Sequence, residues 1–161
     1  MITLDWTVPA VAFTLSGILL IWVRSKFPFV NFKNSKIQHD QQFDKVLQST
    51  YNKLVLLLEE DQVFLNKNIK VADLASRLNQ KEKTISRAIN KHSNGNFNTF
   101  INSFRVQYSK EILESGRLDH YTIEAIAEEC GFANKVSFYN AFKSDTGMSP
   151  KQFRAVKHPT E

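Results

Sequence analysis

The sequence predicts an all-α fold: two helix-turn-helix subdomains joined by a long central helix, preceded by a transmembrane helix and an amphipathic linker helix. Three observations carry this. After the first 24 residues, apolar side chains recur at intervals of three and four, with no alternating strand pattern. Two segments, at about 71–91 and 123–143, repeat one helix-turn-helix pattern. Between them lies a single long apolar stripe closed by a glycine.

Length and charge bound the rest. The 161 residues leave room for one ordinary domain and little else, which speaks against a large enzyme. Lys plus Arg number 21 against 16 Asp plus Glu, for a net charge of +5, and 42% of residues are apolar, so a basic globular chain with a full core is expected. The single Cys130 excludes an intrachain disulfide. His39, His92, His120 and His158 are too scattered for a zinc spacing, so no metal or cofactor is expected.

Residues 1–24 are a different material. From Trp6 to Val23, WTVPAVAFTLSGILLIWV, eighteen residues carry no charge. As a helix they would span roughly 27 Å against a hydrocarbon core of about 30 Å. Trp6 and Trp22 stand where amphipathic rings prefer the interface. Arg24, Lys26, Lys33 and Lys36 follow, while only Asp5 precedes. The expected placement is a single pass through the inner (cytoplasmic) membrane by residues 6–23, with the C-terminal domain in the cytoplasm, or a cytoplasmic protein if the span is not inserted. A secretory signal peptide fits less well, because the stretch begins acidic and ends in Trp22, Val23 and Arg24 without a small-residue cleavage site. A buried core helix stays open, since Thr7, Pro9, Thr14, Ser16 and Gly17 weaken the apolar run.

Residues 25–61 read as a linker. The polar stretch 25–39, opening with Phe27, Pro28, Phe29 and Phe32, is expected to connect interface to cytosol. Phe43, Val46, Leu47, Tyr51, Leu54, Val55 and Leu58 then mark an amphipathic helix over about 40–60. Its apolar face packs either on the domain that follows or on another chain, a second copy or a longer relative.

Residues 62–158 hold the two repeated units. In the first, Val71, Leu74, Ala75 and Leu78 make one stripe, Asn79 to Lys81 the turn, and Ile85, Ala88 and Ile89 the second stripe. In the second, Ile123, Ile126, Ala127 and Cys130 are followed by Gly131 with Phe132, then Phe138, Ala141 and Phe142. Ala75 and Ala127, 52 positions apart, supply the small residue needed where two helices cross. Gly131 suits a positive φ at a helix end; Asn79, its counterpart, tolerates that conformation less freely. Between the units Phe97, Phe100, Ile101, Phe104, Tyr108, Ile112 and Leu113 predict a helix of nineteen residues, capped by Asn96 and closed by Gly116. Its length of about 28 Å is comparable to the roughly 34 Å of one DNA turn.

At these residues the sequence resembles a known family. Leu65 to Lys157 is similar to the DNA-binding domain of AraC/XylS-type transcription regulators. The match is carried by Ile126-Ala127 through Gly131-Phe132, Ser137-Phe138, Ala141-Phe142-Lys143, Thr146-Gly147, Ser149-Pro150 and Phe153-Arg154, with Ile85-Ser86-Arg87, Phe100-Ile101-Asn102 and Arg105-Val106 in the first half. The resemblance implies two helix-turn-helix subdomains on one connecting helix, double-stranded DNA as partner, and RNA polymerase as a further partner. Lys70 and Lys81 depart from the pattern: they stand where Ser or Thr caps are usual, at a cost of roughly 1 kcal/mol each, which predicts a less rigid first unit. A separate sensing domain is also missing, so the chain reads either as a short member or as a shortened form of a longer polytopic sensor.

Helical geometry selects the DNA-facing side chains. With Ile85, Ala88 and Ile89 inward, the first recognition helix presents Lys83, Thr84, Ser86, Arg87, Asn90 and Lys91. Lys83, Ser86 and Arg87 lie in the N-terminal half that enters a major groove, and the resemblance places base contacts at the same three. Arg87 leads, because its planar fork can take guanine O6 and N7 together; the alternative is that it pairs with an acid or a phosphate. In the second unit Lys135, Ser137 and Asn140 are the base-contact candidates, Asn140 being suited to adenine. Thr84, Asn90, Lys91, Asn134, Lys143, Lys151 and Arg154 are candidates for the DNA backbone, the last two as phosphate clamps or solvated charges. From Asn66 to His158 there are fifteen Lys plus Arg and nine Asp plus Glu, an excess of six that favours a polyanion.

No catalytic residue is expected. A Gly-rich phosphate loop, a nucleophile elbow and an HExxH pair are all missing. Cys130 reads as a small core residue, His92 and His120 as surface residues, and Glu59, Glu60, Asp61, Glu128 and Glu129 as solvated. The expected function is a sequence-specific, membrane-tethered transcription regulator. The competing reading is an interaction module that pairs through helix 40–60 with a longer regulator and modulates it without reading DNA.

Overall fold

A computed structural model of the protein describes residues 32–93, 95–116 and 120–157. The proposed span at 6–23 lies outside the described residues; among those described, no helix is long and apolar enough to cross a membrane. The chain divides into two units, Met1–Gln42 and Phe43–Glu161. Of the first, the described part is the opening of a helix whose side chains from residue 38 to 42 are exposed. The second holds everything that follows.

Among the described residues, seven α-helices and one 3-10 turn follow in order: α1 (Phe32–Asp61), the turn Val63–Leu65, α2 (Val71–Arg77), α3 (Glu82–His92), α4 (Phe97–Ser115), α5 (Ile123–Glu129), α6 (Lys135–Thr146) and α7 (Pro150–Lys157). All the described regular structure is helical, as the periodicity predicts. The first helix corrects two expectations. It begins at Phe32, so residues 32–39 are helical and not a connector. No Gly or Pro interrupts FKNSKIQHDQQ, and Lys and Gln extend an already nucleated helix at little cost. Val46, placed on the apolar stripe by its spacing, is 41% exposed, while Thr50 is buried at 4%. The buried line runs through Leu47, Thr50, Leu54 and Leu58, which packs α1 on its own domain.

Two cores flank α4. Leu54 and Leu58 of α1, Phe64 of the 3-10 turn, Leu74 and Ala75 of α2, and Ile85, Ala88 and Ile89 of α3 close on Phe100 and Ile101 of α4. Val106, Ile112 and Leu113 of the same helix close on Ile123, Ile126, Ala127, Cys130, Phe132, Phe138, Phe142 and Phe153. Each fully buried Leu, Ile or Phe contributes about 1.5–3 kcal/mol, so neither core survives without its share of α4. Asn96 caps this helix, its side-chain oxygen accepting from the Thr99 amide at 3.1 Å, and Gly116 closes it at φ 66°.

The two units are the same object down to their turns. Leu78 N–H donates to the Leu74 carbonyl, Asn79 to Ser76 and Gln80 to Ala75; shifted by 52 residues, Cys130 donates to Ile126, Gly131 to Glu128 and Phe132 to Ala127. Both are helix ends closed by one left-handed residue, Asn79 at φ 50° and Gly131 at φ 79°. Gly131 has a second reason: a Cβ there would lie 2.5 Å from the Leu65 carbonyl oxygen.

One buried charge ties these parts together. Arg105, 7% exposed in the middle of α4, donates from Nε to the Phe64 carbonyl at 2.7 Å and from Nη2 to the Asn66 carbonyl at 2.9 Å. Its guanidinium also lies over the Phe132 ring, 5.6 Å from the centroid. The turn after α1, the central helix and the tight turn of the second unit thus meet at one side chain.

Candidate nucleic-acid interface

On α3, Ile85, Ala88 and Ile89 are fully buried, which turns the opposite side of the helix outward. Lys83, Arg87, Asn90 and Lys91 are exposed there, with Thr84 and Ser86 half-buried beside them. The N-cap of α3 is Lys81, whose side chain caps nothing; the amides of Thr84 and Ile85 donate to its carbonyl. The other lysine cap, Lys70, is helped by Asp73, whose carboxylate accepts from the Lys70 amide at 2.7 Å. In the second unit both caps are side-chain oxygens: Thr122 accepts from Ala125 and Asn134 from Ser137.

The predicted site residues divide by what already holds them. Lys83, Lys143 and Lys151 are exposed and form no ion pair with a described residue. Arg87 places its guanidinium over the Phe43 ring of α1, 5.5 Å from the centroid, and Lys91, one turn on, pairs with Asp44. Lys135 is held by Glu124 of α5 and lies over Tyr139 on its own helix. The hydrogen bond from Lys135 keeps the Glu124 carboxyl below its usual range and raises the lysine in turn. Asn134 uses its oxygen as the cap of α6, and Arg154 donates to the Tyr121 carbonyl at 2.9 Å, a tie from α7 to the start of the second unit.

Ser137 and Asn140 are both exposed on α6 and border a cleft of about 590 Å³ whose other wall is the α4 face at Thr99, Asn102 and Ser103. The Asn140 side-chain amide forms no hydrogen bond with a described residue. Val136 was not among the expected contacts, yet it is 67% exposed on the same helix. The signal for it was a β-branched residue placed outside the Phe138–Phe142 stripe.

Cys130 is fully buried, and burial pushes its thiol up to about 12, so it packs and does not react. His120 lies in an exposed turn as expected. His92 is half-buried and not fully at the surface: it packs against the Tyr51 ring at 5.6 Å, with a buried Nε2 that has no hydrogen-bond partner among the described residues. Among those residues, no cluster of His, Cys, Asp and Glu could hold a metal ion.

The family described as helix-turn-helix domain matches residues 74–155, which includes α3 and α6. The chain is 30% identical over 87 residues to the Msm operon regulatory protein of Streptococcus mutans, a match covering 54% of this chain and 30% of that protein. The chain therefore spans less than a third of that relative. Among solved structures, the fold is similar to the C-terminal domain of AraT, a response regulator from Geobacillus stearothermophilus (TM-score 0.55, 23% identity, 72% of this chain and 88% of that one). It is similar as well to an AraC-type transcriptional regulator from Chromobacterium violaceum (0.58, 16%, 71% and 96%). A third is the DNA-binding domain of AdpA, solved in complex with a target DNA (0.55, 23%, 66% and 90%).

Proposed function

The chain belongs to this helix-turn-helix family and carries an AraC-type DNA-binding transcription-regulator domain, and from that premise we propose that it reads specific duplex sequence in two successive major grooves, one with α3 and one with α6. The observation that carries the reading is the pair of like-built units on one helix, each turning a polar face outward: Lys83, Ser86 and Arg87 on α3, Lys135, Ser137 and Asn140 on α6. Arg87 takes a guanine edge and Asn140 an adenine edge, each worth about 1–3 kcal/mol of discrimination. Val136 adds an apolar surface for a thymine methyl. Lys83 reads beside Arg87, Lys143 and Lys151 meet phosphates, and Thr84, Asn90, Asn134 and, once it leaves Asp44, Lys91 support the backbone contact.

The two reading helices differ in what they can give. On α3 no acid of the same unit holds Lys83, so its charge is available to DNA; on α6 Lys135 must first leave Glu124. The first unit supplies more of the affinity and the second more of the shape and adenine readout. Attachment to a membrane rests on the uncharged residues 6–23 alone; recovery of the full chain in the soluble fraction without detergent would remove it.

The test is a pair of substitutions. Arg87→Ala relaxes preference at one base position, whereas Lys151→Ala weakens all sequences alike and reduces the salt dependence by about one ion. An Arg87→Ala protein that keeps the same preferred site at every position removes Arg87 from the readers.

A further inference from the structure

The contact between α1 and α3 joins two residues that the family match does not include to two that it does. Phe43 and Asp44 are neighbours on α1, before the matched stretch 74–155; Arg87 and Lys91 are one turn apart on the recognition helix. Phe43 is half-buried at the rim of the first core, so its ring is fixed by packing while one side meets the Arg87 guanidinium, 5.5 Å from centroid to Cζ.

From this geometry we infer that Phe43 is a positioning residue for Arg87 and so a determinant of sequence specificity supplied by the helix ahead of the reading domain. The inference rests on Arg87 being a base reader, as proposed above. An arginine on an exposed helix face has several freely rotating bonds, and docking its fork on a base edge freezes them all. A ring beneath the guanidinium removes part of that freedom beforehand. Because the ring has no acceptor, it leaves the five N–H donors open to a base, which a carboxylate at the same place would not. The neighbouring contact is of the other kind: Asp44 spends the charge of Lys91 on an ion pair and holds α1 in register with α3.

The experiment uses the full chain in mild detergent and a random duplex library, followed by titration of the selected site and its single-base variants. Three variants are compared: Phe43→Leu, which keeps an apolar side chain without a ring, Phe43→Tyr, which keeps the ring, and Arg87→Ala. The expected result is a two- to fivefold loss of affinity in Phe43→Leu, concentrated at the base position that Arg87→Ala also relaxes, with Phe43→Tyr close to the parent. Phe43→Leu added to Arg87→Ala has no further effect on preference. Circular dichroism melting of Phe43→Leu separates lost positioning from lost folding, and the tyrosine variant keeps the test open if the leucine variant melts early. If Arg87→Ala shifts the preferred site and Phe43→Leu does not, the positioning role is overturned and the reader assignment stands. If Arg87→Ala shifts nothing, both fall. Tighter binding by Phe43→Leu overturns the inference as well, since α1 would then restrain the reader.

Discussion

At the scale of single residues, Arg105 and Cys130 lie close together and ask for opposite tests. Arg105 satisfies two backbone carbonyls from one guanidinium, and burial lowers its pKa against the opposing influence of Cys130. Charge-assisted bonds of this sort contribute about 1.5–3 kcal/mol each, less whatever water recovers on their loss, so Arg105→Ala should lower unfolding stability by about 3 kcal/mol in urea titration. Arg105→Lys should restore little of it, because an ammonium cannot span the Phe64 and Asn66 carbonyls as a fork does. Cys130 is a linkage case. Its thiol is raised from 9.0 to about 12 by burial, so the protonated form belongs to the folded state. Its contribution is fully present below pH 9 and is lost as pH climbs from 9 toward 12, at about 1.4 kcal/mol per pH unit. Cys130→Ala should therefore show a flatter decline in stability between pH 9 and 11 than the parent; identical declines would mean that burial does not hold the thiol in its protonated form.

At the scale of elements, the 52-residue repeat lets one unit serve as the control for the other. Asn79 and Gly131 occupy corresponding positions in the two turns, both with positive φ, and at Gly131 a Cβ would meet the Leu65 carbonyl oxygen. Asn79→Gly should stabilise by about 0.5–1 kcal/mol through relief of left-handed strain. Gly131→Ala should cost about 2 kcal/mol or more, since strain and a clash with Leu65 add. Equal effects in thermal melts would show that the two turns are not alike. The caps give a parallel case: Lys81→Ser restores an oxygen at the start of α3 and should add about 1 kcal/mol. These features were legible in the sequence because a turn, a cap and an apolar stripe are local and periodic. Helix α4 and its two caps, the small residues Ala75 and Ala127, and the core line through Cys130 were all read from spacing. What was not legible depends on contacts between distant positions. The tie from Arg105 to Phe64 crosses 41 residues and leaves no period behind. The packing of His92 depends on Tyr51, Asn134 was spent as a cap, and the early start of α1 followed from mere absence of a helix breaker. The candidate reading side chains were nameable from helix geometry, but the rings and carboxylates that hold Arg87, Lys91 and Lys135 were not, because they come from other elements or from pairings that spacing does not fix.

At the scale of the whole molecule, charge and architecture act together. The excess of six positive charges between Asn66 and His158 supplies attraction to any duplex, and it weakens as salt rises. Specificity, on the reading proposed above, needs more: α3 and α6 held at a fixed separation by α4, which shares its side chains with both cores. The most direct test is selection of sites from a random duplex library by the full chain at near-physiological salt. Enrichment of two short motifs whose centres lie about 10–10.5 base pairs apart, one helical turn, is the expected result. A folded protein that enriches no motif, and whose weak binding disappears as salt is raised, would contradict it.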